Sequence, residues 1–80
     1  MVRIIPSNIF KKNVKRLNQF EREKLEKQIK KIINNPQVGK PLKYKRGERS
    51  LYIKPFRLIY ALRGEDIILL NFNHRKRVYK

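Results

Sequence analysis

Cysteine is absent from this 80-residue chain, tryptophan is absent too, histidine occurs once, and acidic side chains number only 6. Without cysteine neither a disulfide scaffold nor a thiolate zinc site can form, and His74 alone cannot hold a metal. The 3 glycines are scattered, so no glycine-rich phosphate loop is present. Paired carboxylates, a His-Glu metal helix and a Ser/His/Asp order are all missing. The longest unbroken apolar run, Leu58 to Leu62, falls far short of the ~20 residues that cross a bilayer, and the stretch from Met1 to Pro6 lacks a signal-peptide core. The length of 80 residues excludes a multi-domain enzyme, the absences argue against metal catalysis, and no cofactor is expected. They point to a soluble, cytoplasmic protein with one domain over residues 1–80.

What the chain has in excess is positive charge. Its 22 Lys and Arg give a formal net charge of +16. Charge of that size and sign speeds encounter with polyanions and makes binding salt-dependent, which implies nucleic acid, an acidic protein or an anionic membrane. Disorder is the other outcome of high charge. Against it stand an apolar fraction of 40% and 4 Phe with 4 Tyr, which fall into periodic segments rather than into a featureless basic tail.

Val2 to Ile5 is an apolar strand, punctuated by Pro6, with Ser7 placed to cap a helix. Phe10, Val14 and Leu17 recur at helical spacing and leave Lys11, Lys12, Lys15 and Arg16 on the other side. Asn18-Gln19-Phe20-Glu21 fits a capping box for a second helix, with Leu25, Ile29, Ile32 and Ile33 as its buried stripe and Asn34-Asn35-Pro36 as its stop. The segment from Gln37 to Leu42 reads as a connection. Beyond it, Leu51 to Lys54, Phe56 to Leu62 and Ile67 to Phe72 read as an antiparallel meander, with Gly64-Glu65-Asp66 in one turn. Proline cannot take positive φ, so a wider or irregular corner is expected at Lys54-Pro55. The expected fold is α+β: a two-layer sandwich, β-α-α-β-β-β, with an antiparallel helix hairpin on one face of a small, mainly antiparallel sheet. Basic and aromatic groups would collect on the uncovered face.

Such a chain has one chemical route open to it, the cleavage of RNA without metal, in which a 2′-hydroxyl attacks its own neighbouring phosphate. The reaction needs an acceptor for the hydroxyl proton, cations for the phosphorane charge and a donor for the leaving 5′-oxygen. Lys, Arg, His and Tyr can divide those roles.

Pro41-Leu42-Lys43, Arg49-Ser50-Leu51 leading into Phe56-Arg57-Leu58-Ile59-Tyr60, and the ending His74-Arg75-Lys76-Arg77-Val78-Tyr79-Lys80 together resemble the RelE/ParE superfamily of type II toxins. The likeness spans nearly the whole chain. It implies a ribosome-dependent endoribonuclease that cuts mRNA without metal and is neutralised by an acidic cognate antitoxin. Carried over by position, it makes Arg57 the neutraliser of the scissile phosphate and Arg75 a proton donor or phosphorane stabiliser. Tyr79 becomes the aromatic that stacks on or orients a base, and His74 a proton carrier near neutral pH. RelE enzymes place two basic residues on the second strand; here Ser50 and Tyr52 stand at those places, which leaves Lys54 as the candidate base. Lys43, Lys45, Arg46, Arg49, Tyr52 and Arg77 are candidate RNA contacts. Lysines along both helices suit rRNA. Two other functions share these features: a ParE-like inhibitor of DNA gyrase, and a non-enzymatic RNA- or ribosome-binding protein.

Overall fold

The computed structural model describes residues 2–43 and 47–74. Strand β1 (Arg3–Pro6) leads into helix α1 (Asn8–Val14) and helix α2 (Gln19–Asn34), followed by β2 (Lys40–Pro41), β3 (Glu48–Ile53), β4 (Phe56–Arg63) and β5 (Asp66–His74). The strands form one sheet in the order β1-β5-β4-β3-β2. All neighbours are antiparallel except β1, which lies parallel to β5. The α+β sandwich expected from the sequence is the one observed, with β2 as an addition inside the segment read as a connection.

Local chemistry sets the helix starts. Ser7 Oγ accepts the N–H of Phe10 as an N-cap and donates to Leu70 O at 2.7 Å, so one hydroxyl both starts α1 and ties it to β5. Asn18 Oδ1 accepts the Glu21 N–H at 2.8 Å while Glu21 Oε1 accepts the Asn18 N–H at 3.0 Å, the reciprocal pair of a capping box. Of the apolar stripe on α2, Leu25 and Ile32 are buried and Ile29 is half-buried, but Ile33 is 41% exposed and lies outside the core.

α1 lies against β5 and α2 against β3. Phe10, Leu25 and Ile32 meet Ile53, Leu58, Tyr60, Ile67, Leu69 and Phe72 in one core. Side chains alternate across a strand. Leu51 and Ile53 of β3 and Phe56, Leu58 and Tyr60 of β4 therefore face the helices, and Ser50, Tyr52 and Arg57 face the other way.

The two hairpins differ from a simple meander. Gly64 takes φ of 58°, the positive value that a two-residue loop of this kind needs at its first position, and Arg63 pairs with Asp66 across it. At the other corner the expected wide connection is not found. Ile53 pairs directly with Phe56, and Lys54-Pro55 fills a two-residue turn through a cis peptide bond. A cis bond lets proline occupy the third place of a tight turn without positive φ, which the argument from trans geometry had excluded.

Candidate functional site

The tight corner decides what faces what. With Ile53 opposite Phe56, Tyr52 stands opposite Arg57, and both side chains lie on the face away from the helices. Arg57 Cζ sits 5.1 Å from the centroid of the Tyr52 ring, a cation–π stack. Its Nη1 donates to Ser50 Oγ at 3.3 Å. Ser50 is 5% exposed, whereas Tyr52 is 45% exposed. The ring and the hydroxyl thus hold the guanidinium from two sides. Around them opens a cleft of about 360 Å³ lined by Val38, Lys40, Ser50, Leu51, Tyr52 and Arg57. Its described lining carries two cations and no carboxylate, which suits an anion.

The far wall of the cleft, Val38 to Lys40, is fixed from beneath. Tyr60 is fully buried, and its hydroxyl donates to Pro36 O at 2.8 Å and accepts the Gly39 N–H at 2.9 Å. Arg49 Nη1 donates to Gly39 O at 2.7 Å and to Gln37 O at 3.1 Å. A Cβ at Gly39 would stand 2.8 Å from Tyr60 Oη and 2.9 Å from Ser50 O, so only glycine fits this approach. Burial pushes the Tyr60 phenol above the ordinary tyrosine range, and the Gly39 hydrogen bond and the Arg49 charge oppose that rise.

The residues singled out in the sequence are distributed as follows. Arg57 and Tyr52 meet in the cleft, with Ser50 between β2 and β4. Arg49 holds the loop at Gln37 and Gly39. Lys54 is exposed in the β3–β4 turn, outside the cleft lining, and Lys43 is exposed just after β2. His74 pairs in register with Phe56 and meets its ring edge-on, centroids 6.2 Å apart. Phe56 also stacks on Phe72 at 5.1 Å. His74 therefore lies at the same end of the sheet as Arg57 but on the helix side, and Asn73 is the residue across from Arg57. Lys45, Arg46, Arg75, Arg77 and Tyr79 lie outside the described residues. Sequence reasoning missed Val38 and Lys40 as walls of the cleft; Gly39, between them, was the one local signal, and what it packs against, Tyr60 in the middle of β4, is 21 residues away in the chain.

Chemically, the arrangement offers a guanidinium stacked on an exposed ring and anchored to a hydroxyl, ready to meet the oxygens of a phosphate. Tyr52 beside it offers a surface for a base.

The family model described as the ParE toxin of type II toxin-antitoxin systems, parDE, matches residues 4–79. Among solved structures, the intact E. coli RelBE toxin-antitoxin complex is similar with a TM-score of 0.84 at 17% identity, covering 96% of this chain and 100% of that one. The isolated E. coli RelE toxin gives 0.83 at 18% identity, with 99% and 92% covered. The E. coli DinJ-YafQ toxin-antitoxin complex gives 0.82 at 20% identity, with 99% and 98% covered. At such identities these structures speak to the fold. Comparison with curated proteins gives no match.

Proposed function

The chain belongs to the RelE/ParE superfamily of type II toxins, and from that membership we propose that it is a RelE-like endoribonuclease that cuts mRNA on the ribosome. The observation that carries the reading is Arg57, stacked on Tyr52 and bonded to Ser50 in a cleft whose described lining holds no carboxylate. In the proposed reaction the 2′-oxygen attacks the adjacent phosphorus, its proton passes to a basic group, and the bond from phosphorus to the 5′-oxygen breaks as that oxygen is protonated. The products are a 2′,3′-cyclic phosphate and a 5′-hydroxyl. Arg57 neutralises the charge that grows on the phosphorane oxygens, a contact stronger in the transition state than in the ground state. His74, Lys54, Arg75 and Tyr79 remain the candidates for moving the protons and orienting the base. An acidic antitoxin silences the toxin in the cytoplasm, and mRNA and ribosome are its targets.

The test is a cell-free translation reaction in which mRNA ends are mapped with and without the protein. Cyclic or 3′-phosphate ends that vanish with Arg57→Ala support the reading, and 3′-hydroxyl ends contradict it. Inhibition of DNA gyrase is the second reading. It is favoured by the ParE description of the matching family model and by Ser50 and Tyr52 standing where RelE enzymes carry basic residues. Uncut mRNA together with blocked supercoiling in a gyrase assay would establish it instead.

A further inference from the structure

Lysine is abundant on this surface, and one lysine is built into the cleft. Lys40 of β2 lies directly across from Ser50 of β3, so the two side chains share the face that carries Arg57. Ser50 Oγ accepts from Arg57 Nη1 at 3.3 Å, which makes the small side chain of Ser50 a neighbour of both cations. Lys54, the lysine singled out in the sequence, lies outside the cleft lining. The backbone around Lys40 is held more firmly than a solvated lysine requires. On one side the Gly39 N–H donates to Tyr60 Oη at 2.9 Å and the Gly39 carbonyl accepts from Arg49 Nη1 at 2.7 Å. On the other side the Leu42 N–H donates to Glu48 O at 2.9 Å. Arg49 and Tyr60 pair in register on the helix side, and strand alternation sends the Lys40 side chain the other way. A side chain at Gly39 would collide with Tyr60, so the chain is pressed against the sheet there while Val38 and Lys40 line the cleft.

We propose that Lys40 is the second phosphate-binding cation of the cleft and meets, from the β2 wall, the same phosphodiester that Arg57 meets from β4. Arg49 is its positioning residue and acts through the Gly39 carbonyl. Two cations lining one cleft repel each other, and a phosphate between them turns that cost into attraction from both sides. The two cations also differ in kind. Arg57, stacked on Tyr52 and bonded to Ser50, presents a planar fork that fixes the direction of approach, and Lys40 adds a compact charge on a flexible stem. The inference rests on the reading of the chain as an enzyme acting on RNA, and it assigns the second charge to Lys40 rather than to Lys54.

The test uses the full chain and a 2′-O-methyl dinucleotide of uridine, whose single phosphodiester cannot be cut by 2′-hydroxyl attack. The control ligand is the same dinucleotide with a neutral methylphosphonate linkage. Binding is followed at low salt through the amide shifts of Gly39, Ser50 and Tyr52. Lys40→Ala should weaken the phosphodiester by about threefold to tenfold, as loss of a charge-assisted contact at a half-open site does, and leave the methylphosphonate unchanged. Lys40→Arg should stay within about twofold of the wild type. Arg49→Gln should lose affinity in the wild-type background and add nothing to Lys40→Ala, which a general loosening of the fold would not reproduce. Arg63→Gln removes one exposed charge about 20 Å along β4 from Arg57 and sets the loss that net charge alone produces. Lys40→Ala that binds like Arg63→Gln, equal loss on both linkages, Lys40→Arg as weak as Lys40→Ala, additive losses at Arg49 and Lys40, or no shift of these amides at about 10 mM dinucleotide would each overturn the proposal. The probe is never cut, so the outcome is separate from the ribonuclease reading. A Lys40-dependent phosphodiester site in a protein that leaves mRNA intact removes that reading and keeps this one, and cut mRNA with wild-type binding in Lys40→Ala does the reverse.

Discussion

The hydroxyl of Tyr60 ends in a fully buried place where a core residue must also serve a loop. Its two hydrogen bonds satisfy Pro36 O and the Gly39 N–H. In Tyr60→Phe both groups lose their partner, and leaving buried polar groups unpaired costs about 1–3 kcal/mol. Urea unfolding at neutral pH should show that loss. The same burial raises the phenol's pKa in the folded state. The neutral form is then favoured by folding, so this stabilisation is complete below the ordinary tyrosine range and disappears as pH rises through the folded value. A wild-type midpoint that falls steeply at alkaline pH, and a Tyr60→Phe midpoint that lacks that step, are the expected results.

Elements show which information the sequence carried. Ser7 and the Asn18/Glu21 box were legible because a cap involves residues three apart. Arg57 and Tyr60 were legible as strand residues, and the alternation of β4 puts them on opposite faces. That Tyr52 would face Arg57 was not legible, because it depends on the length of the Lys54-Pro55 corner, and one residue more would turn every side chain of one strand over. Arg49 read as a candidate RNA contact because nothing local shows that the carbonyls of Gln37 and Gly39 lie within its reach. His74 and Arg57 share an end of the sheet but not a face, again a matter of register. Gly39→Ala tests the loop that β4 supports. Its new methyl would stand 2.8 Å from Tyr60 Oη, so the variant should be destabilised, and Tyr60→Phe should relieve part of the damage. A double-mutant cycle in urea should therefore show coupling of about 0.5 kcal/mol or more. β1 is held in register by Arg3 and Asp66, whose carboxyl lies below the usual carboxylate range because Arg3 donates to its ionised form. That contribution is present above the unfolded pKa and is lost as pH falls through the folded one. The protection of the Ile5 amide, measured against the intrinsic exchange rate at each pH, should fall in acid more in the wild type than in Asp66→Asn.

At the scale of the whole molecule the net charge of +16 supplies attraction without position, and the cleft supplies position with two cations. The two contributions are separable by salt. If roughly eight phosphates are neutralised, affinity for single-stranded RNA should fall by about 10³ between 50 and 200 mM salt, because each contact releases counterions. Lys30 is exposed on α2, on the side of the sheet away from Arg57. Lys30→Ala should weaken binding slightly and lower the salt slope by about one at most. Arg57→Ala should act differently. It removes one contact from the same electrostatic sum, so its binding loss should be equally modest. Under the ribonuclease reading it also removes the charge that meets the developing phosphorane, a class of loss of about 10² to 10³ in rate. Single-turnover cleavage on programmed ribosomes at saturating protein removes binding from the comparison. Lys30→Ala should then match the wild type while Arg57→Ala stays slow at every salt concentration. An Arg57→Ala rate that recovers fully at saturation would make Arg57 one more binding cation, and the cleft would lose its claim to the chemistry.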